Sequence, residues 1–466
     1  MNHKNSSREI PLLMVIIPIA LTVFLLIMTV FYLDSPLYLP LLMGYFFSFF
    51  IAFIYHRSVK ELLKATYQGI HSIAAIISIL VLIGVLIAIW SSSGTIDALV
   101  YYGLAIVNPK YLVVISFLVS SMISMLLGTS VGTMSTVGVA FMGIAHSLSI
   151  DTGLVAGALV SGAFVGDRTS PLSSAAQINA LVTGANYYDE VSRLIKTLLP
   201  VILISAIIYF FIDLYWVQLG QGANVKVEEA MNSLKNLYGQ IPLWLLLPPI
   251  SILIFAFFKV PTKINLTIGI LIGIILAYIF QDKDLFSILI EGIFGYQHPT
   301  GKVYGGGWNM LHQIVLIVVA GAFYGMLEST GMLATVLRKL TSGINGPVSL
   351  VKKTMVISIF SAALSSTQVI GIMVPGKTLS SFYKNYNLGN GLLYKSIADS
   401  GMVVAGLIPW NLNALLLAIA LNVEVVDYLP FAVLLFILPI YSFYQFKYSY
   451  LKKEKKLSRK LAEKVE

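Results

Sequence analysis

The sequence has no cysteine among its 466 residues, which excludes disulfide staples and thiolate metal sites. Charge is scarce too. Only 11% of residues are Asp, Glu, Lys or Arg, against roughly 25% in an ordinary soluble domain. Hydrophobic residues make up 58%, and apolar runs of roughly 18 to 22 residues recur from end to end, each able to cross a hydrocarbon core about 30 Å thick. A soluble core has no need of helices that are apolar on every face. The chain is therefore read as a membrane protein in contact with a lipid bilayer.

The formal charge is +9, from 30 Lys and Arg against 21 Asp and Glu. No nucleic-acid partner is inferred from it, because much of the excess lies in one tail, Lys447 to Lys464, just after the last apolar run. A basic juxtamembrane tail marks the cytoplasmic side and touches anionic lipid. The first apolar run, Pro11 to Leu33, exceeds a signal-peptide core and is followed by no small-residue cleavage pattern, so it is expected to stay as an anchor.

Hydropathy predicts crossings at about 11–33, 38–55, 68–90, 193–217, 241–258, 262–280, 308–328 and 428–446. Two further regions, 108–186 and 348–421, are interrupted by Gly, Pro and Ser/Thr clusters. These two resemble one another. A shift of 237 residues lays Gly84 on Gly321, Gly94 on Gly331, Thr129 on Ser366 and Ser130 on Thr367, with one extra residue needed before the proline at 109 or 347. Further on, Ser161-Gly162 answers Ser400-Gly401, and Pro171 answers Pro409.

Charge placement gives the two copies opposite directions. Lys4, Arg8, Arg57, Lys60, Lys64 and the basic tail are assigned to the cytoplasm. A hairpin at 110–147 then starts and ends outside, and 152–186 crosses inward to Arg193 and Lys196. A hairpin at 354–384 starts and ends inside, and 392–421 crosses outward to Glu424. Its 31 residues are counted as too few for two full crossings, hence re-entrant. The expected fold is an all-α polytopic membrane protein of about 10–13 transmembrane helices, with inverted repeats, re-entrant hairpins and broken helices. Its parts are N-terminal helices (1–67), repeat 1 (68–217), a connecting region (218–307), repeat 2 (308–425) and the last helix with its tail (426–466).

Chemistry concentrates at the interruptions. LLGTSVGTMSTVG (126–138) would break a helix and free backbone carbonyls, tolerated in lipid only where they face protein or a polar cavity. Close packing through small residues is the plainer reading of that segment. Asp167 stands within an apolar stretch, at an insertion cost of about 2.5–3.5 kcal/mol. A carboxylate beside carbonyls and hydroxyls suits sodium and also accepts a proton. An ion pair with Arg168 is the bland alternative for Asp167, although adjacent residues on a helix do not face each other. Thr367 and Gln368 are the polar groups at the second hairpin's tip, before the break at Pro375-Gly376. Lys377 is expected to snorkel to the interface, with a role in solute contact as the weaker option. Asp399 is read as the second repeat's acidic residue, less deep than Asp167, and Pro409-Trp410-Asn411 marks its break. Asn411 and Asn413 are polar groups at mid-membrane.

Taken together, G-T-S-V-G-T (128–133), G-D-R-T-S-P-L-S (166–173), P-G-K (375–377), D-S-G (399–401) and I-P-W-N (408–411) resemble the NhaC-type sodium/proton antiporter family, over about residues 70 to 425. The resemblance implies a multi-pass carrier of the bacterial cytoplasmic membrane driven by proton or sodium gradients. The family also includes a malate-for-lactate exchanger and amino-acid carriers. Relatives often close the aspartate motif with a second acid where this chain has Ser174, and that loss favours an organic solute over a bare cation.

The expected activity is exchange of sodium, or another small cation, for protons by alternating access. Asp167 with Asp399 would bind sodium or a proton in turn. Thr129, Ser130, Ser170, Ser173, Thr367, Gln368, Asn411 and freed carbonyls would complete the shell. The alternative is sodium- or proton-coupled movement of a small organic acid or amino acid, with Arg168, Lys377 and Asn413 contacting the solute. An intramembrane aspartyl protease is disfavoured, because Phe164 occupies the first glycine of the motif such enzymes need. No enzymatic activity and no resident cofactor are expected, and the sequence leaves monomer or homodimer open.

Overall fold

The computed structural model describes residues 10–32, 35–55, 57–215, 223–298, 301 and 303–462. Lys4, Arg8 and Lys464, used above for orientation, lie outside them. Inside lipid each peptide group must find its partner within the protein, and the apolar runs accordingly fold as helices. α1 (Leu12–Phe31) and α2 (Tyr38–Ile54) pair at the N-terminus. α3 (Val59–Ser92) opens with a capping box between Ser58 and Glu61, and Gly94 turns the chain into α4 (Thr95–Ile106).

The first interrupted region follows. α5 (Leu112–Leu127), α6 (Ser130–Thr133), a π-helical turn (Met134–Gly138) and α7 (Val139–Ser147) form a hairpin. α8 (Thr152–Thr169) and α9 (Ser174–Thr183) form a broken crossing. α10 (Tyr187–Tyr215) closes the repeat, and the Asp213 carboxylate on its last turn accepts from the N–H groups of Val113 (3.0 Å) and Val114 (2.8 Å) at the start of α5. The connecting region holds α11 (Ala223–Tyr238), α12 (Leu247–Phe257), α13 (Thr262–Phe280), α14 (Leu285–Phe294) and two antiparallel strands, β1 (Tyr296–Gln297) and β2 (Val303–Tyr304). Neither α11 nor α14 falls within a crossing that hydropathy predicts.

The second region repeats the first. α15 (Leu311–Ser329) leads through Gly331 into α16 (Met332–Thr341). α17 (Pro347–Ser365) and α18 (Gln368–Asn385) form the hairpin. α19 (Asn390–Ala398), α20 (Gly401–Val404) and α21 (Leu412–Leu421) form a crossing bent by 51° at its break. α22 (Val425–Tyr428) and α23 (Val433–Ala462) end the described chain. Six described helices are long and apolar enough to span a membrane, or up to nine if each bent pair counts as one span. The protein is an all-α, multi-pass membrane protein.

The backbone sharpens the internal register. Gly94 and Gly331 share left-handed φ values of +78° and +80°, as the shift of 237 requires. Past the prolines the register is one residue longer. Gly128 (φ +68°) matches Ser366 (φ +57°), so Thr129 matches Thr367 rather than Ser366, and Ser130 matches Gln368. A Cβ on Gly128 would collide with the backbone of Leu172 and Ser173, so glycine is required there. In the same register α9 (174–183) overlays α21 (412–421), and both end on a left-handed residue, Gly184 and Asn422. Asp399 therefore matches Ser161, and Asp167 matches Ala405. The two aspartates are not repeat mates.

The broken crossings run antiparallel. Thr152, at the start of the first, shares a cavity with Leu421 and Asn422, at the end of the second. Gly184, at the end of the first, accepts a hydrogen bond (3.0 Å) from Asn390, at the start of the second. The second hairpin begins at 347, and its arms have 19 and 18 residues, about 27–28 Å each. Length alone therefore does not make it re-entrant. Its tip does, because the carbonyl of Ser366 accepts from the N–H of Leu412 at the crossing's break (2.8 Å).

The absence of native cysteine makes the orientation directly measurable. Single cysteines at exposed Ser149 and Asn422 should react with an impermeant maleimide from one face of the membrane. Those at exposed Asn186 and Asn387 should react only from the other. Labelling of all four from one side contradicts the inverted arrangement.

Candidate functional site

Each break exposes the N–H groups that open the next helix, and inside a membrane no water meets them. Four side chains do so. Gly132 N–H donates to Thr129 Oγ1 (3.3 Å), Ala176 N–H to Ser173 Oγ (3.2 Å), Val369 N–H to Thr367 Oγ1 (3.3 Å) and Asn413 N–H to Asn411 Oδ1 (3.0 Å). Ser, Thr and Asn are strong N-caps, which accounts for the polar clusters at the interruptions. The positive ends of these helix dipoles converge on one region of the interior and favour negative charge there.

Asp167, on the last turn of α8 and 7% exposed, supplies that charge. Its carboxylate accepts from the backbone N–H of Ser130 and, through Oδ2, from Gln368 Nε2 (2.9 Å). Gln368 Nε2 also donates to the carbonyl of Met402 (2.7 Å), while Gln368 Oε1 accepts from Asn413 Nδ2 (2.8 Å). Ser173 Oγ donates to the backbone carbonyl of Asp167. A single amide thus ties the first repeat's carboxylate to the second repeat's tip and crossing.

These groups face a cavity of about 470 Å³. One wall is built from both repeats and includes Thr129, Ser130, Asp167, Ser174, Gln368 and Asn413. The opposite wall comes from α12, α13 and their turn, with Lys259 and Asn265 among aliphatic neighbours. Asp167 and Lys259 are the ionisable residues of the lining. A second cavity, about 520 Å³, lies at the other end of the same elements, lined by Val139, His146, Ala420 and Asn422 among others. Gly132 and Val139, and likewise Asn413 and Ala420, are seven positions apart, roughly 10 Å of helix. The buried part of the π-helical turn fills that barrier.

Asp399 is elsewhere, and both expectations for it are corrected. It is fully buried rather than shallow, and it is held by cations rather than facing the cavity. Arg168 Nε donates to Asp399 Oδ1 (2.6 Å) and the guanidinium grips it a second time. Lys395 Nζ lies 3.0 Å from Oδ2, and Ser442 Oγ donates to it at 2.5 Å. Arg168 also reaches the carbonyl of Leu194 (3.5 Å). Successive helical residues point about 100° apart, so Asp167 meets the cavity while Arg168 turns away to Asp399. The Asp167–Arg168 ion pair therefore does not form, and Arg168 is not in the cavity lining. Ser170 is buried and accepts from Leu172 N–H (3.2 Å) within the turn, Asn411 is a buried cap that also donates to Ala362, and Lys377 is exposed; none of the three lines the cavity.

Sequence reasoning missed Lys395, Ser442, Lys259 and Asn265. Lys395 had a signal, since it stands four residues before Asp399 on one helix face. Ser442 had none, because only tertiary packing brings α23 there. Among the described residues no three His, Cys, Asp or Glu side chains group as metal ligands, and Asp399 is held by Arg168 and Lys395 away from the cavity that Asp167 faces.

Removing one member of a buried ion pair costs about 3–5 kcal/mol. Asp399→Asn leaves Arg168 and Lys395 uncompensated, whereas Arg168→Gln leaves Asp399 its lysine. Thermal unfolding followed by size-exclusion should therefore show a much larger drop for D399N than for R168Q. A D399N protein of normal stability that has lost sodium dependence would return Asp399 to the transport site.

The chain matches the Na+/H+ antiporter family over residues 7–219 and again over 162–446. It is 34% identical over 373 residues to the Na(+)/H(+) antiporter NhaC of Alkalihalophilus pseudofirmus, covering 78% of this chain and 79% of that one. It is 30% identical over 435 residues to the malate-2H(+)/Na(+)-lactate antiporter of Bacillus subtilis, covering 90% and 91%. With the arginine/ornithine antiporter ArcD of Halobacterium salinarum it shares 27% over 431 residues, 89% and 87% of the two chains.

Proposed function

The chain belongs to the Na+/H+ antiporter family, and from that footing we propose that it exchanges sodium for protons at the Asp167 carboxylate by alternating access. The observation that carries this reading is the clamp on Asp167 Oδ2 by the Gln368 amide, at the base of a cavity where both repeats meet. A carboxylate in that position binds a proton or a cation, not both. Competition for one group couples the two fluxes without a covalent step.

Gln368 Nε2 holds Asp167 Oδ2 and the carbonyl of Met402 together. These two oxygens are the donors a sodium ion takes, and the amide stands in their midst as a neutral substitute for it. Sodium displaces the N–H groups, and Thr129 and Asn413 on the same wall supply further oxygens. The cavity reaches the turn between α12 and α13, which carries Lys259, with Lys263 following on the first turn of α13. A basic turn is cytoplasmic by charge bias, which presents Asp167 to the cytoplasm in this conformation and puts the second cavity on the outer path. The termini are cytoplasmic in the same scheme.

A second reading is coupled movement of a small organic acid or amino acid. A cavity of about 470 Å³ falls within the ~300–1,000 Å³ of small-molecule sites and far exceeds a bare ion. Lys259 and the convergent helix N-termini suit a carboxylate, and Ser174 lines the cavity where relatives often carry an acid. In this reading sodium or protons still pass through Asp167.

Asp167→Asn should abolish sodium-dependent proton movement in everted vesicles while the protein still folds and purifies, because the asparagine oxygen can still accept from Gln368. Exchange that survives in D167N removes Asp167 from the mechanism. A thermal-shift panel of carboxylic acids and amino acids separates the readings: stabilisation by sodium alone supports plain exchange, and stabilisation by a solute with sodium supports the second.

A further inference from the structure

Gln368 is buried, and both polar atoms of its amide are in use. Nε2 donates to Asp167 Oδ2 (2.9 Å) and to the carbonyl of Met402 (2.7 Å), and Oε1 accepts from Asn413 Nδ2 (2.8 Å). Asn413 is the second residue of α21, where its backbone N–H donates to the Asn411 side chain (3.0 Å). Both amides line the cavity that Asp167 faces. The two amides therefore form a short chain from α21 to the carboxylate, and the chain has a direction: each nitrogen points toward Asp167.

The oxygen and the NH2 group of an amide are nearly alike in size, and the terminal torsion that exchanges them is broad. A half-turn of Gln368 sets Oε1 where Nε2 now stands, beside Asp167 Oδ2 and the Met402 carbonyl. Three oxygens so placed repel one another around an empty site and suit a sodium ion in a loaded one. The same half-turn aims Nε2 at Asn413, which accepts it after turning its own amide. We propose that the two amides rotate as a pair, nitrogen toward Asp167 when the carboxylate is empty and oxygen toward it when sodium is bound, with Asn413 the positioning residue for Gln368. The bond between the amides persists in both settings with its direction reversed, so no buried hydrogen bond between them is lost. Only the ion discriminates the settings, as a two-state element requires. Asn413 Oδ1 keeps a second lone pair for the cavity. The inference rests on Asp167 being the cation site. It places the ion at that carboxylate, within distances the present hydrogen bonds already define.

Asn413→Asp fixes one setting. At alkaline pH the introduced carboxylate only accepts, so it draws Gln368 Nε2 to itself and leaves Oε1 facing Asp167. Its charge also attracts sodium directly, and a Gln368→Met background, which has no amide to turn, measures that part alone. In a double-mutant cycle, N413D should lower the sodium KM of exchange about tenfold more strongly beside Gln368 than in the Q368M background, a coupling of ~1.4 kcal/mol. An equal factor in both backgrounds means that Asn413 acts by charge or direct contact, and it overturns the proposal. Should Q368M fail to fold, infrared difference spectra of the parent protein, labelled with carbon-13 at the glutamine side-chain carbonyl, decide the matter. Sodium should shift a labelled band, and spectra without a shifted labelled band overturn the proposal. Asp167→Asn in parallel keeps the two claims distinct. Exchange lost in D167N with equal factors in the cycle refutes the amide pair alone, and exchange surviving in D167N refutes the Asp167 reading beneath it.

Discussion

Backbone that leaves a helix within a bilayer has no water to turn to, and that constraint orders the whole centre of this protein. Four interruptions, at 128–129, 170–173, 366–367 and 408–411, each free peptide groups. The chain answers with four side-chain caps and with contacts between tip and break. Gathering the breaks in one place lets them satisfy each other. It also gathers helix N-termini, and with them a field that holds a carboxylate. Asp167 is thus a consequence of the interruptions as much as a tenant of them.

Two aspartates share the interior and have been given opposite fates by their neighbours. Asp399 sits between Arg168, Lys395 and Ser442, tying the first repeat, the second repeat and α23 together. Both of its carboxylate oxygens are engaged by these partners. Asp167 has only neutral donors, Ser130 N–H and the Gln368 amide, and these can yield to a cation. The difference lies in which face of α8 each partner occupies, one residue apart in sequence.

Much of this was legible in the sequence. Apolar helices at 12–31, 187–215, 262–280 and 311–329, and the two interrupted regions with their antiparallel crossings, follow from hydropathy, charge placement and motif, whereas the helices at 38–54 and 243–257 are shorter than a span. The misreadings have physical causes. The tip register slipped by one because a serine in the left-handed region at 366 does what glycine does at 128, and similarity of letters hid similarity of φ. Asp399 was expected beside Asp167, whereas its carboxylate is held by Arg168 and Lys395. Ser173, Thr367 and Asn411, expected as cation ligands, cap the helices at the breaks and are not in the cavity lining, because polar residues at a break serve the backbone first; Thr129 both caps and lines. The opposite wall was invisible, because nothing local tells an asparagine in an apolar helix what it will face.

The central claim is that sodium and a proton compete for one buried carboxylate, and the most direct measurement of it is proton release on sodium binding. Sodium added to purified protein in weakly buffered detergent, near the pH at which Asp167 is protonated, should release about one proton per ion bound. Apparent affinity should then strengthen about tenfold per pH unit until the carboxylate is ionised. Sodium binding that releases no proton and keeps one affinity across pH would contradict the account.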